Sequence, residues 1–293
     1  MSNISIIKWG NRYTESYTYG SEIILNKSSV YFSSPMMPVG AKIKSWYSKG
    51  SYSINRVSPL LPLLIGGKNY QLALFLEKNE RNCFQVTIEF FDEFDNEIAI
   101  EYFNELKFNF TYPVDAVSYR ISLINKKHEY IKFYFMMISD IPVTEVNEVL
   151  VNEDFTIMDF TSDFSKNEIE VVIDNLVRET TMITKSNVEK NYLYLFLNQH
   201  DKNNFVKSIV ALVKYLERYN SEIRILPGNN FEQSPSCQKL LPYVLTMLYS
   251  EGEREITTDI PFPDLEQNGC DIQTLLQEIK QTLLADGIKL SGK

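Results

Sequence analysis

The chain has 293 residues, of which 44% are hydrophobic and 23% are charged, and its formal net charge is −9. A length of this order predicts about two domains. Because an acidic chain does not neutralise phosphate groups, we exclude nucleic-acid binding as its function.

Cysteine content and hydrophobicity predict the cellular location. Cys83, Cys237 and Cys270 are widely spaced and odd in number, so we expect no disulfide framework and a reduced, cytoplasmic setting. Residues 1–8 lack the charged segment and long apolar run of a signal peptide. No stretch approaches the roughly 18 uninterrupted apolar residues of a membrane helix, so we expect no direct membrane span.

Apolar and polar residues alternate through the first half, which indicates β-strands separated by turns. Residues 131–138 are apolar on both faces, as in a central strand or one covered on its outer side. The pattern predicts an antiparallel β-sandwich over residues 1–140. The strand candidates are residues 4–9, 22–25, 30–32, 43–48, 70–77, 84–91, 98–100, 106–112, 119–123 and 131–138, with a hairpin joining the second and third.

Trp46 is the central residue of a stretch broken by four prolines. In a strand over residues 43–48, Trp46 shares one face with Lys44 and Ser48, and Tyr47 lies on the other. A tryptophan between a lysine and a serine is often an exposed platform, because sugars and peptide side chains pack on aromatic faces. The alternative is that Trp46 lies under a neighbouring loop.

Aromatic residues supply the candidate binding site. Trp46, Tyr47, Tyr52 and Arg56 lie close together in sequence, and we predict that they bind a carbohydrate or a partner protein. The residue types do not separate these ligands, since both favour aromatic rings and arginine. Trp9 shares its strand face with Ile7, so we expect it in the core.

An ordered set of short motifs in residues 4–138 resembles a known family, the third accessory Sec protein. This family belongs to the export system for serine-rich-repeat glycoprotein adhesins of Gram-positive bacteria. The matching motifs are Trp9-Gly10, Tyr19-Gly20-Ser21, Met37-Pro38-Val39-Gly40, Trp46-Tyr47-Ser48, Leu61-Pro62-Leu63-Leu64, Gly67-Lys68-Asn69-Tyr70, Ile88-Glu89-Phe90-Phe91, Tyr112-Pro113 with Ala116, and Tyr119-Arg120-Ile121-Ser122-Leu123.

The resemblance implies a non-catalytic subunit whose sandwich is like a carbohydrate-binding module. It implies two sister accessory Sec proteins as partners, one glycosyltransferase-like and one esterase-like, together with a motor ATPase and the glycoprotein adhesin. It also implies a cytoplasmic protein, with peripheral placement at the inner face of the membrane through the translocon as an alternative. No catalytic residue, cofactor or metal ligand is implied.

In the second half of the chain, the spacing of the hydrophobic residues changes after a connector at residues 141–152. Strand candidates at residues 155–160, 192–197 and 223–226 alternate with helical stripes, so residues 153–293 are predicted to form a small α/β domain with a mainly parallel sheet. Pro242 lies inside the third stripe, so this helix either starts later or bends there. The stripes occupy residues 169–177, 206–216, 240–248 and 272–283.

Signatures of catalysis are scarce. His200 beside Asp201 is the one feature that resembles a proton-transfer group, and a polar loop is the better interpretation. The chain has no Gly-x-Ser-x-Gly elbow, no phosphate loop and no zinc-ligand spacing. We therefore rank an accessory Sec subunit first, a stand-alone carbohydrate-binding module second, and a small α/β transferase or hydrolase third.

Overall fold

The computed structural model describes residues 2–10, 15–26, 28–50, 59–78, 83–140, 148–151, 155–161, 168–174, 179–185, 191–197, 202–219, 222–231, 239–250, 256–260 and 272–288. The chain divides into two compact units. The first comprises Met1–Val143 and Arg178–Ser186, and the second comprises Thr144–Val177 and Asn187–Lys293.

The first unit consists of antiparallel strands in two sheets, as the alternating pattern predicts. The seven-stranded sheet contains β1 (Ser2–Ile7), β2 (Glu22–Leu25), β3 (Val30–Ser33), β5 (Asn69–Lys78), β8 (Lys107–Thr111), β10 (Ile131–Ser139) and β14 (Thr180–Lys185). The four-stranded sheet, in the order β4-β9-β6-β7, contains β4 (Lys42–Tyr47), β6 (Phe84–Phe91), β7 (Glu97–Phe103) and β9 (Ser118–Asn125).

Both sheets contribute side chains to one hydrophobic core. Leu72 and Phe133 come from the seven-stranded sheet, and Ile88 and Ile121 come from the four-stranded sheet. Met137, on the opposite face of β10, is also fully buried. Strand β10 is therefore buried on both faces, which its continuous apolar run predicts.

The compact units differ from the predicted domain boundary in the placement of strand β14. The division at residues 141–152 places Thr180–Lys185 in the α/β domain, whereas this strand pairs with β1 along its whole length, from Ser2↔Lys185 to Ile7↔Thr180. The physical reason is that an edge strand such as β1 carries unpaired backbone groups that another strand can satisfy. Pairing across so long a sequence separation leaves no local signal.

The second unit contains one mixed sheet in the order β11-β12-β15-β13-β16-β17. Its strands are β11 (Glu148–Val151), β12 (Phe155–Asp159), β13 (Glu168–Asp174), β15 (Tyr192–Leu197), β16 (Glu222–Pro227) and β17 (Ile256–Thr258). The pairs β15/β13, β13/β16 and β16/β17 are parallel, and β11/β12 and β12/β15 are antiparallel.

The prediction of a helix at residues 169–177 is wrong over its described part, because Glu168–Asp174 is the strand β13. This strand is central and buried on both faces, so its apolar residues form a run rather than an alternation. Its side chains are also rich in β-branched valine and isoleucine, which favour strands. Leu176 and Val177, the end of the predicted stripe, lie outside the described residues.

Three predicted helical stripes are helices in the described part of the second unit: α1 (Lys202–Leu216), α2 (Leu241–Tyr249) and α3 (Ile272–Ala285). Each presents buried residues at helical spacing to the core, including Ile209, Val244 and Ile279. Pro242 lies in the first turn of α2, where a missing backbone N–H costs nothing, so the helix starts late rather than bending. Among the described helices, none is long and apolar enough to cross a membrane.

A buried histidine links a turn to the core of the first unit. His128 Nδ1 lies 2.7 Å from Asn125 Oδ1. Asn125 Nδ2 donates to the carbonyl oxygens of Met37 and Pro38, which leaves Asn125 Oδ1 as the acceptor and His128 Nδ1 as the donor. His128 Nε2 is buried without a hydrogen-bond partner among the described residues. Burial lowers the pKa of His128, because an imidazolium there would be desolvated.

We expect His128 to make the free energy of unfolding depend on pH. Because the folded-state pKa lies below the unfolded value of about 6.5, the contribution of His128 to the free energy of unfolding is complete above that pH. This contribution decreases at lower pH, where the unfolded chain binds the proton more readily than the folded chain does. The urea concentration at the midpoint of unfolding should therefore decrease as the pH is lowered from about 7 to about 5. His128→Gln keeps a donor for Asn125 and should make this fall shallower. Equal pH dependence in both proteins would contradict the assignment.

Candidate functional site

The structure places Trp46 in the core, so the interpretation of its indole as an exposed platform is wrong. The side chain is fully buried between the two sheets. Its Nε1–H donates to the carbonyl oxygen of Lys8 at 2.9 Å. The indole packs edge-on against Trp9, with ring centroids 5.9 Å apart, and lies 5.4 Å from Phe133. Trp9 is 1% exposed, which confirms its predicted core position.

The error arises from the buried lysine Lys44 in β4, and a β-bulge before it changes the position of Ile43 as well. The register of β4 against β9 shifts between Lys42 and Lys44, so Ile43 also enters the core instead of sharing the face of Tyr47. Lys44 is buried beside Trp46, with its Nζ 3.5 Å from Glu15 Oε2 and 5.8 Å from the Trp9 ring centroid. Desolvation lowers the pKa of Lys44, and the nearby Glu15 carboxylate partly offsets this effect. A lysine at a core-facing position made this face of the strand look exposed.

Tyr47 lies on the opposite face of the four-stranded sheet, which we call the Tyr47 face. Cross-strand register aligns one row of side chains across the sheet, in the order Tyr47, Arg120, Glu89 and Ile100. Because Trp46, Ile121 and Ile88 point into the core, this row points away from it. The neighbouring row consists of Ser45, Ser122, Thr87 and Tyr102.

A buried carboxylate organises the charges of the Tyr47 face. Glu89 is 4% exposed and forms ion pairs with Arg120 and with Lys42, the latter at 2.9 Å. Desolvation lowers the pKa of Lys42, and the charge of Arg120 lowers it further. The Arg120 guanidinium carbon lies 5.3 Å from the Phe91 ring centroid and 5.8 Å from that of Tyr47. The carboxylate and the two rings thus hold a planar cation in a fixed position.

Several polar groups of the Tyr47 face are buried. The Ser45 and Ser122 hydroxyls lie 2.8 Å apart and share a hydrogen bond. Thr87 Oγ1 and Arg120 Nε are buried without a hydrogen-bond partner among the described residues.

The rim of the face is apolar and exposed. Tyr102 is 58% exposed, Phe94 in the β6–β7 turn is 76% exposed, and Ile98 of β7 is 41% exposed. Aromatic residues with a central arginine are typical of protein interfaces. Sequence reasoning missed Arg120, Glu89 and Tyr102, because it followed neighbours of Trp46 along the chain. The available signal was the alternation of β9 and β6, which places charged residues opposite Tyr47.

Tyr52 and Arg56 lie outside the described residues, as do His200 and Asp201. Within the described part of the chain, no three His, Cys, Asp or Glu side chains are grouped so that they could hold a metal ion.

Comparisons with known proteins identify relatives of this chain. The family described as accessory Sec secretory system ASP3 matches residues 16–140. The chain is 32% identical to the accessory Sec system protein ASP3 of Streptococcus gordonii over 126 residues, which is 43% of this chain and 79% of that protein. It is 24% identical to the Staphylococcus aureus counterpart over 119 residues, which is 41% of this chain and 37% of that protein.

A solved structure shows a similar fold. It is the Glycosylation Associate Protein (Gap123) complex of Streptococcus agalactiae, in which one chain has 20% sequence identity and a TM-score of 0.54. The match covers 95% of this chain and 88% of that chain. The similarity therefore extends over both compact units.

The opposite placements of Trp46 and Tyr47 predict different effects on stability. Trp46→Ala removes a core indole and its hydrogen bond, and should lower the free energy of unfolding by about 3–5 kcal/mol. Tyr47→Ala removes a half-buried ring outside the core and should cost only about 1 kcal/mol. Urea denaturation of both variants measures the difference. A Trp46→Ala protein as stable as the parent would place the indole on the surface.

Proposed function

The chain belongs to the accessory Sec secretory system ASP3 family, and from this premise we propose that it is a non-catalytic subunit of the complex that exports serine-rich-repeat glycoproteins. Its role is to bind the sister accessory Sec proteins. The S. gordonii relative is named as a protein of this system, and the S. agalactiae structure with a similar fold is of a Gap123 complex. Both facts support a protein that works in an assembly.

The observation that carries the proposal is the Tyr47 face. Arg120, held by Glu89 between the rings of Tyr47 and Phe91, combines a planar cation with aromatic surface. These are the residue types that contribute most of the energy in protein interfaces. The exposed ring of Tyr102 extends the surface without further ordering of the backbone, since it lies on strand β7. A sister subunit that covers this face also desolvates the ion pairs beneath it.

Family membership also supplies the partners and the cellular location in this proposal. The two sister proteins are glycosyltransferase-like and esterase-like. The assembly is located in the cytoplasm, where it cooperates with a motor ATPase in the export of the adhesin. The premise for these assignments is family membership.

The two compact units form the domains of this subunit in the proposal. The first is a β-sandwich of the carbohydrate-binding-module type, and the second is an α/β domain. The separate cores and separate sheets support the division. The stand-alone carbohydrate-binding module is the weaker alternative, because Trp46, its proposed stacking residue, is buried.

We expect the full chain to co-elute with the two sister proteins in size-exclusion chromatography. A chain that elutes alone in the presence of both would refute the assembly role. The sister proteins mixed without this chain serve as the reference.

Substitutions on the Tyr47 face should weaken the assembly. The double variant Tyr47→Ala/Tyr102→Ala removes two rings at little cost to folding, and should raise the dissociation constant by about tenfold or more. Leu284→Ala is the matched control, because Leu284 is 63% exposed on helix α3, in the other unit. Isothermal titration with the sister proteins gives the constants. Equal affinity of the parent and the double variant for the sister proteins would show that the interface does not include the Tyr47 face.

A further inference from the structure

The two outer edges of the four-stranded sheet differ in what covers them. The edge of β4 is closed, because the backbone N–H of Tyr17 donates to the carbonyl oxygen of Ile43 at 2.9 Å. The backbone N–H of Ser45 likewise donates to the carbonyl oxygen of Glu15 at 3.0 Å. Strand β7 forms the opposite edge, and among the described residues it pairs with β6 alone. One side of its backbone therefore carries hydrogen-bonding groups with no backbone partner in that part of the chain.

Length and composition distinguish β7 from the other open edges in the described part of the first unit. Strand β7 has seven residues, whereas β2, β8 and β14 have four, five and six. Native proteins protect open edges by keeping them short or by placing lysine or proline on them. Strand β7 contains neither lysine nor proline, and its side chains Ile98 and Tyr102 are exposed. An extended polypeptide that pairs with β7 would satisfy its backbone groups and cover this apolar surface.

A carboxylate without an ion pair lies in the middle of this edge, on the side of the core. In the register of β6 and β7, Glu101 is opposite Ile88, which is a core residue. Its neighbours on the same face of the strand, Ala99 and Phe103, pack against the core. The ion pairs of the four-stranded sheet within the described residues do not include Glu101. Desolvation raises the pKa of Glu101, because the charged form is less well hydrated there.

This carboxylate restricts what can pair with β7. An added strand removes more water from Glu101, which costs free energy unless that strand brings a positive charge. A second copy of β7 brings none. In a two-fold antiparallel pair centred on Ile100, Glu101 is opposite Ala99 of the second copy and diagonal to Glu101 of the second copy, about 7–8 Å away. Two carboxylates at that distance repel each other where water is partly excluded, so pairing with a second copy is disfavoured.

We propose that β7 accepts an extended strand of a sister accessory Sec protein as a fifth strand of this sheet, with a lysine or arginine of that strand beside Glu101. On its other face the added strand is apolar, because it lies next to Ile98 and Tyr102. The inference rests on the proposed function, since it takes the sister proteins as partners. It deepens that function by naming the backbone pairing and the charge through which one of them binds.

Hydrogen exchange followed by mass spectrometry, with fragmentation that resolves single residues, tests the pairing. The full chain is compared alone and mixed with the two sister proteins. We expect exchange to slow by about tenfold or more at every second amide of residues 97–103, because alternate N–H groups of an edge strand point toward an added strand. Residues 22–25 of β2, which form another open edge, should exchange equally in both samples.

Charge reversal tests the basic residue of the added strand. Glu101→Lys should raise the dissociation constant for the sister proteins by about tenfold or more, and Glu101→Gln should raise it less, because only the first variant adds repulsion. Glu22→Lys is the matched control, because it makes the same charge change at an exposed position of the edge strand β2, and it should bind as the parent does. Isothermal titration gives the constants, and thermal unfolding checks that each variant is folded.

The outcomes separate this inference from the proposed function. A complex in which residues 97–103 exchange as in the free chain overturns the strand pairing and leaves the assembly role standing. The lack of any complex overturns both. Slower exchange of β7 in the chain alone, increasing with its concentration, identifies a second copy as the occupant and overturns the choice of partner. Equal affinity of the parent and Glu101→Lys overturns the basic residue beside Glu101.

Discussion

The indole of Trp46 is the contact on which the first unit depends. It belongs to the four-stranded sheet, yet its N–H donates to the backbone of Lys8, next to the end of β1 in the seven-stranded sheet. One residue thus links the two sheets by a hydrogen bond as well as by packing on Trp9 and Phe133. A buried indole needs a partner for its one donor, so the position of the Lys8 carbonyl restricts where the sheets can sit.

The orientation of the Trp46 side chain toward the core also determines which residues lie on the Tyr47 face. Strand alternation sends Tyr47 outward when Trp46 points inward, and its neighbours across the sheet are then Arg120 and Glu89. The recognition surface and the aromatic core are therefore two sides of the same strand. Substitutions that loosen the core would disturb both.

The sequence predicts local, antiparallel features well and long-range ones poorly. All ten strand candidates of the first half are strands, because each shows its period within a few residues. The β-bulge at Ile43 and the burial of Lys44 made the predicted strand faces wrong, since neither feature is visible in the local amino-acid composition. The strand β13 was mistaken for a helix because burial on both faces removes alternation.

The pairing of β14 with β1 has a consequence for biosynthesis. The chain runs through the first unit, enters the second, returns for residues 178–186 and then leaves again. Domains generally fold as units during synthesis, from the amino terminus onward. Here the amino-terminal unit remains incomplete on the ribosome until its last strand has emerged, by which time part of the second sheet has been translated. A polypeptide released before that point would leave the edge of β1 uncovered and open to pairing with another nascent chain.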